Sequence, residues 1–372
     1  MSDDEADSEL LDLLKRSLGL SLGQSTVSPE TGVLASAEHV CNNSIDVALD
    51  MAGTKAAAAL IYNNMRARGY STQAWSQHEL HPKTKDEAAL NFIFTMDLLN
   101  FSFFSDKIDP DDPECFAIEY RGKRWKGYWS LCAALQRALD EGLYISSPSA
   151  WHREAGYSDD VLRHVFRSAT SEPMPMLDAR IKVLREAADV LFNHFDMKVV
   201  NLIKRANNSA AALVNLLAAY FLNFGDEIRF EGRMVRFLKR AQIFVADVWA
   251  CFDGQGYGRF DDIDKITMFA DYRIPQILHT LGALTFSPPL ESVIRKQLPI
   301  KAGSTWEIEI RGCSIHAVEL IRREIAKMDP DTPINAILID FFLYDTMKEL
   351  ERTNADRSLD VIPHHRTRSI WY

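Results

Sequence analysis

A mainly α-helical fold with a small β component is predicted by three features of the 372-residue sequence. Beyond residue 32, apolar side chains recur mostly at intervals of three and four, the period of a helix packed on a core. Alternation of apolar and polar residues is confined to short segments near 116–129 and 306–311. The composition, 47% hydrophobic and 25% charged, is that of a globular chain with a substantial core.

The first 32 residues differ from the rest of the chain. They join an acidic start to a short leucine-bearing piece and a stretch rich in Ser, Gly, Thr and Pro. Such a composition cannot bury much apolar surface. We therefore expect residues 1–32 to be a disordered tail and residues 33–372 to form a single, mostly helical catalytic domain.

The predicted helices combine apolar periodicity with recognisable ends. Residues 84–87 resemble a capping box, Gly69 and Gly142 follow the last apolar positions of two helices, and Pro275 suits the first turn of another. We expect helices over residues 54–68, 84–99, 129–141, 177–191, 209–221, 237–252, 275–282, 314–327 and 334–350.

The β component is predicted in two places. Apolar residues alternate through 116–120, Arg121–Gly122 offers a turn, and residues 123–129 are expected to return as the second strand of a hairpin. Residues 306–311 alternate between apolar and charged side chains, which predicts a half-buried strand.

Charge and cysteine usage limit the function classes. The formal net charge is −10, whereas a protein that holds duplex nucleic acid normally presents a basic surface to the phosphates. The five scattered cysteines form no Cys-x-x-Cys pair, so neither a disulfide framework nor a zinc site is indicated. No apolar run is typical of a signal sequence or a membrane span. We expect a cytoplasmic monomer that binds a small molecule without a metal or another cofactor.

Two aspartates interrupt the apolar run of the last predicted helix. Asp340 and Asp345 are five residues apart, which is about 140° around a helix, so they cannot share one narrow stripe. In one interpretation, one carboxylate forms a buried ion pair and the other is exposed. In the other, both flanks of the helix line a cleft, because a buried carboxylate is costly unless a partner or ligand satisfies it.

Asp271 follows the apolar stretch 266–270 and precedes Tyr272–Arg273, just before a predicted helix. By pattern alone, such a residue is more often a helix cap or the partner of an arginine. A carboxylate at this kind of junction is also aimed outward, and in a cleft it would stabilise positive charge that develops in a transition state. The residues leave both roles open.

Three further features are less specific. Residues 101–104 contain three phenylalanines, which are typical of a core but also suit stacking on planar bases. His78 and His81 are three residues apart, yet no third ligand type follows at metal spacing. The glycines at 254–258 lack the flanking strand and the Lys-Ser/Thr of a nucleotide-binding loop, so we interpret them as a turn.

Nine tracts are spread over nearly the whole chain after the tail. They comprise residues 78–82, 100–103, 120–122, 127–134, 230–232, 239–242, 266–276, 309–313 and 363–372. None of them is a generic motif. Together and in this order, they resemble the queuosine salvage family, the queuosine 5′-phosphate N-glycosylase/hydrolases.

The resemblance implies an enzyme with a helical fold similar to that of the helix-hairpin-helix DNA glycosylases. Such an enzyme hydrolyses queuosine 5′-monophosphate to queuine and ribose 5-phosphate, so that queuine is reused in transfer RNA modification. By the resemblance Asp271 is the catalytic carboxylate, while Asp340 and Asp345 bind the base together with Phe341. The other substrate-binding positions that the resemblance implies are His78 with its neighbour His81, Phe104, Lys239 and Phe269.

Two positions depart from the family pattern. Phe104 stands where many members have tryptophan, and Phe341 stands where many have tyrosine. Stacking on a base survives both changes, but an indole or hydroxyl hydrogen bond is lost.

Two other functions are compatible with these residues. One is a DNA base-excision glycosylase, which the implied fold suggests and the net charge of −10 disfavours. The other is a non-catalytic protein that binds queuine or its nucleotide. The presence of Asp271 together with Asp340 and Asp345 favours the enzyme.

Overall fold

A computed structural model describes residues 30–109, 111–332, 334–353 and 361–372. The predicted fold class is confirmed, because helices dominate the described chain and the strands are three or four residues long. Within the described ranges the helices are α1 (Val33–Asn42), α2 (Met51–Arg68), α3 (Gln73–Gln77), α4 (Glu87–Leu98), α5 (Tyr128–Asp140), α6 (Asp159–Val165), α7 (Leu177–Phe195), α8 (Val200–Ala206), α9 (Ala210–Tyr220), α10 (Lys239–Cys251), α11 (Ile274–Thr280), α12 (Pro288–Arg295), α13 (Thr305–Met328) and α14 (Ala336–Thr353).

The strands pair two by two in antiparallel fashion. The predicted hairpin is confirmed, and its turn at Arg121–Gly122 has φ values of 51° and 72°, the left-handed backbone that a tight hairpin turn requires. Its second strand is shorter than expected, because Gly127 already leads into α5. The pairs are β1 (Val47–Leu49) with β6 (Leu284–Phe286), β2 (Ile118–Tyr120) with β3 (Lys123–Trp125), and β4 (Glu227–Phe230) with β5 (Arg233–Arg236).

The helix ends follow local side-chain chemistry, with one correction. Gly69 ends α2 in the left-handed conformation, at φ 57°, as predicted. The predicted capping box at 84–87 is wrong, because Asp86 caps α4 by accepting a hydrogen bond of 3.0 Å from the Ala89 N–H. Thr84 supports this cap by donating its hydroxyl to the Asp86 carboxylate at 2.9 Å.

The predicted strand at 306–310 is also wrong, since these residues form the first turns of α13. The charged residues that suggested a solvent face are all buried and paired. Glu309 accepts hydrogen bonds of 2.7–3.1 Å from the backbone N–H groups of 45–47, and Arg311 donates to Asp226 at 2.5 and 2.9 Å. A helix buried on most sides shows no clean helical period, which explains the error.

Helix α13 runs through the middle of one connected apolar core that extends from Val33 to Ile362. It packs against α1, α2, α11 and α14. At its crossing with α1, a β-carbon on Gly312 would lie 2.5 Å from the Cβ of Val40, so glycine is needed for this close approach.

The segment 98–102 at the end of α4 is held by three buried cations. Arg240 donates to the carbonyl oxygen of residue 98, and Arg180 donates to those of 99, 101 and 102. The ammonium of Lys239 donates to the carbonyl oxygen of Asn100 at 3.0 Å. Five consecutive carbonyl oxygens are therefore bound by cations that the core shields from water, and the backbone here is fixed.

The segment 361–372 packs against this turn from the other side. The Ser102 N–H donates to the carbonyl oxygen of Tyr372 at 3.0 Å, and its hydroxyl donates to that of Ser369 at 2.9 Å. Arg311 lies over the ring of Tyr372, with the guanidinium carbon 4.4 Å from the ring centroid. Residues 361–372 therefore form a wall beside the turn at 98–102.

Residues 1–29 of the predicted tail lie outside the described residues. Thr31 is buried and its carbonyl oxygen accepts a hydrogen bond of 2.8 Å from Arg236, so packed structure begins before Val33. In the described part of the chain, no helix combines the length and apolar character needed to cross a membrane.

The cation-bound turn leads to a stability prediction. Arg180→Met removes the donors to four buried carbonyl oxygens, three of them in this turn and one at Pro175, so we expect the free energy of unfolding to fall by roughly 3–5 kcal/mol. Lys182→Met on the same helix is the matched control, because Lys182 is exposed and its contact with Glu186 at 3.6 Å contributes less than about 0.5 kcal/mol. Urea denaturation measures both, and equal stability of the two variants would contradict the role of the turn.

Candidate active site

A cavity of about 190 Å³ lies between α10, the loop before α11, α14 and the segments around residues 70–81 and 127–129. It collects eight of the nine site residues that the sequence predicted. Phe104 is the exception. The lining residues are Tyr70, Trp75, His78, His81, Asn100, Phe103, Gly127, Tyr128, Trp129, Lys239, Ile243, Asp247, Phe269, Asp271, Tyr272, Arg273, Asp340, Phe341, Tyr344, Asp345, Lys348 and Tyr372.

Asp271 binds the backbone at the start of a helix and also lines the cavity, so the two roles that its sequence context left open are compatible. Its Oδ1 atom accepts hydrogen bonds from the backbone N–H groups of Arg273 at 2.7 Å and Ile274 at 3.0 Å, at the start of α11. Among the described residues, its Oδ2 atom has no hydrogen-bond partner. One oxygen anchors the carboxylate, and the other is available to a ligand in the cavity.

The two aspartates of α14 are anchored in the same way, each through one oxygen. Asp340 accepts a hydrogen bond from the Phe269 N–H at 3.0 Å, and Asp345 accepts one from the Tyr70 hydroxyl at 2.6 Å. Asp340 is buried, whereas Asp345 lies exposed at the rim. Burial, with the nearby charge of Asp271, raises the pKa of Asp340 well above its usual range.

The helix itself explains how both aspartates reach one cavity. Residues 340, 341, 344, 345 and 348 all line it, and together they cover an arc of about 140° on α14. The interpretation in which both flanks of this helix line a cleft therefore describes the structure. The cavity thus contacts both flanks of α14 and not one narrow row of side chains along it.

Lys239 is buried at the other side of the cavity. Its ammonium donates to both the carbonyl and the side-chain oxygen of Asn100 at 3.0 Å, and Asn100 in turn donates to Asp97 at 3.2 Å. Burial lowers the pKa of Lys239 to about 8, and burial raises the pKa of Asp97 to about 7. The pKa values of both groups therefore lie closer to neutral pH than those of exposed lysine and aspartate side chains.

Stacked rings form the aromatic wall. The ring of His78 stacks on Trp129 with centroids 3.3 Å apart, and His81 stacks on Trp75 at 3.9 Å. Burial lowers the pKa of His78 to about 4, so this ring is neutral at physiological pH. Its Nδ1 atom accepts a hydrogen bond from the Leu80 N–H at 3.2 Å, which leaves Nε2 as the protonated nitrogen.

Phe104 lies behind the cavity. It packs edge-on against Tyr272, with ring centroids 5.6 Å apart, and Arg368 lies 3.8 Å from its ring centroid. Its neighbour Phe103 reaches the cavity instead. On the far side, Phe269 and Phe341 form a tilted pair at 6.1 Å.

Several lining residues escaped the sequence-based prediction, among them Tyr70, Asp247 and Trp129. Asp247 follows Lys239 by eight residues on an apolar helix, with Ile243 between them, so all three share one face. The reasoning applied to Asp340 would have found it. Tyr70 gives no such signal, because it acts through a contact 275 residues away along the chain.

No group of three or more His, Cys, Asp or Glu side chains that could hold a metal ion occurs in the parts of the chain that the structure describes. The groups that line the cavity are carboxyl, ammonium, guanidinium, imidazole and aromatic side chains.

The fold and the cavity define a mainly helical protein with a small cavity that is lined by aromatic rings and hydrogen-bonding side chains. Residues 80–372 match the family model of the queuosine salvage protein. The chain therefore belongs to the queuosine salvage protein family.

Curated relatives of this chain carry one name, queuosine 5′-phosphate N-glycosylase/hydrolase. The protein from Schizosaccharomyces pombe is 45% identical over 91% of this chain and 99% of its own length. Those from Mus musculus and Nematostella vectensis are 41% and 40% identical, over 93% and 91% of this chain and over 100% and 97% of their own lengths. The similarity thus extends over nearly the whole of each relative.

The buried histidine beside the cavity predicts a dependence of stability on pH. Burial lowers the pKa of His81 to about 3, so below pH 6.5 protonation favours the unfolded chain, and stability falls as the pH falls. In His81→Gln this contribution disappears. We expect the free energy of unfolding to decrease less steeply between pH 6.5 and 4.5, by up to about 1.4 kcal/mol per pH unit.

Denaturation at several pH values measures the slope, with His194→Gln as the control at an exposed histidine. Parallel curves for the unmutated protein and His81→Gln would show that the prediction is wrong.

Proposed function

We propose that this chain hydrolyses the N-glycosidic bond of queuosine 5′-monophosphate and releases queuine and ribose 5-phosphate, so that queuine is reused in transfer RNA modification. The observation that supports the proposal most directly is one cavity that holds the anchored carboxylate of Asp271 together with Asp340, Phe341 and Asp345. The name of the relatives, which are 34–45% identical to the chain, supports the same reaction.

Asp271 is the proposed catalytic residue. Cleavage of a glycosidic bond passes through an oxocarbenium-like state, which a carboxylate stabilises by its charge or by covalent capture. Because two backbone N–H groups fix Oδ1, little reorganisation is needed when positive charge develops on the ribose. The unpartnered Oδ2 atom faces the sugar in this proposal.

The base is held by carboxylates and rings. Queuine is a 7-deazaguanine, so the ring nitrogen that purine hydrolases commonly protonate is a carbon, and recognition of the base carries more of the catalysis. Its N–H groups and the amine of its side arm suit the free carboxylate oxygens of Asp340 and Asp345. The rings of His78, Phe269 and Phe341 provide stacking surfaces.

The ribose phosphate requires cations. Lys239 is one candidate, and Arg273 and Lys348 at the cavity are two more. Both of the latter pair with Glu351, so a phosphate would compete with this carboxylate for them. Phe104 supports the cavity indirectly, through its packing on Tyr272.

The proposal extends to the domain organisation, the location and the oligomeric state of the protein. We take residues 33–372 as one catalytic domain, because most of their buried apolar side chains form one connected cluster. The helix-hairpin-helix DNA-glycosylase-like fold is proposed from the resemblance to the family. The cysteines are free thiols in the described chain, which fits a cytoplasmic protein. We further propose that it acts as a monomer, without a metal or another cofactor.

Asp271→Asn tests the catalytic assignment. Asparagine keeps an oxygen that accepts the two backbone hydrogen bonds but removes the charge, so we expect queuine release to fall at least about 100-fold without loss of folding. Asp50→Asn is the matched control, since Asp50 caps α2 with a 2.7 Å bond from Gly53 and does not line the cavity.

Chromatography of free queuine after incubation with queuosine 5′-monophosphate measures the activity of each protein. If the unmutated protein releases no queuine, a non-catalytic binding protein is favoured. If Asp271→Asn releases as much queuine as the unmutated protein, the catalytic role of Asp271 is wrong.

The alternative of a DNA base-excision glycosylase is tested by binding. With a net charge of −10, we expect no tight association with duplex DNA at physiological salt. Fluorescence anisotropy with a labelled duplex at 50 and 200 mM salt measures this. Tight binding that weakens steeply between these concentrations would overturn the small-molecule assignment.

A further inference from the structure

Asp247 is a cavity residue to which the proposed reaction assigns no role. It lies on α10 two turns after Lys239, on the same face of the helix. Only 2% of its surface is exposed, although its side chain lines the cavity. A carboxyl group in such a place is costly unless a partner or a ligand uses it.

The protein supplies this carboxyl with few partners. The Trp75 side chain forms a hydrogen bond to it. In the described ranges, no cation lies within ion-pair distance of it, since the nearby ammonium of Lys239 donates to Asn100. One oxygen is thus available to the cavity.

The surroundings favour the neutral form of this group. Burial, reinforced by the charge of Asp97, raises the pKa of Asp247 well above its usual range. A protonated carboxyl donates a hydrogen bond through its O–H. Asp340 differs from Asp247 in accepting a backbone hydrogen bond from the Phe269 N–H, which favours its charged form.

The proposed ligand has one hydrogen-bond acceptor for which the proposed function assigns no donor. A guanine-like edge presents N–H donors, for which Asp340 and Asp345 are acceptors, and beside them a ring carbonyl oxygen, which requires a donor. The indole of Trp75, which binds Asp247, stacks on the ring of His81. The centroid of that ring lies 5.8 Å from the centroid of His78, so Asp247 lies near a ring on which the base is proposed to stack.

We infer that Asp247 is a specificity-determining residue that donates its carboxyl O–H to the ring carbonyl oxygen of the base. The inference rests on the proposed function for the identity of the ligand. It makes the site complementary to both the donors and the acceptor of a 7-deazaguanine.

Two substitutions separate this role from a structural one. Asp247→Asn keeps the size, an oxygen for Trp75 and a donor for the ligand. Asp247→Val keeps the approximate volume but has no donor. It also leaves the Trp75 N–H without its acceptor, so we expect a loss of stability of about 1–3 kcal/mol. Thermal unfolding verifies that both variants fold.

Calorimetric titration with queuine measures the effect. We expect the Kd of Asp247→Asn to stay within about threefold of the unmutated protein, and that of Asp247→Val to rise roughly 10- to 100-fold. The second ligand is 2-amino-7-deazapurine, which lacks the ring carbonyl oxygen. Asp247→Val should bind it as well as the unmutated protein does, because the deleted contact is absent in both.

Equal queuine affinity of Asp247→Val and the unmutated protein would overturn the inference. So would an Asp247→Asn variant as weak as Asp247→Val, since the charged carboxylate would then be required. A variant that weakens both ligands equally would indicate a structural role and overturn it too. Hydrolysis of queuosine 5′-monophosphate is measured separately, so a failure of the proposed function is distinguishable from a failure of this contact.

Discussion

The architecture of the site depends on five consecutive backbone carbonyl oxygens, at residues 98–102, that are bound by three buried cations. Each cation would be costly in the core without these acceptors, and each carbonyl would be costly without a donor. Pairing the cations with the carbonyl oxygens removes both penalties and fixes the backbone of residues 98–102. In this conformation Asn100 and the neighbouring Phe103 line the cavity. The same turn orients the ammonium of Lys239 and receives the segment that ends at Tyr372.

This constraint also sets the electrostatics of the cavity. The ammonium of Lys239 donates two hydrogen bonds to Asn100 and forms no ion pair with a carboxylate in the described chain. Burial raises the pKa values of Asp247 and Asp340 well above their usual range, while Asp271 is held by backbone N–H groups at a helix start. Carboxyl groups of different character can therefore line one small space, where identical charges would repel. The proposed division, with Asp271 for the sugar and Asp247 and Asp340 for the base, is consistent with these environments.

Local patterns predicted more of the fold than of the site. Helix ends such as Gly69 are decided by the backbone of a single turn and were predicted correctly. The strand at 306–310 was wrong because Glu309 and Arg311 are satisfied by distant partners that no local pattern reveals. For Asp271 the neighbours favoured a capping role, and the resemblance to a family was needed to suggest catalysis. The structure shows that capping and exposure to the cavity are compatible, because they use different oxygens of one carboxylate.

The lining of the cavity comes from residues 70–81, 100–103, 127–129, 239–247, 269–273, 340–348 and 372. Contacts so far apart in sequence form late, because closing long loops is entropically unfavourable. During synthesis on the ribosome, the helices of the first half can form and pack before α14 and Tyr372, which line the cavity, have been made. A nascent chain that has emerged only as far as α13 therefore has most of the core but neither α14 nor Tyr372, and ligand capture begins only once synthesis has passed these residues. The ligand, once bound, would hold together parts of the chain that were made at opposite ends of translation.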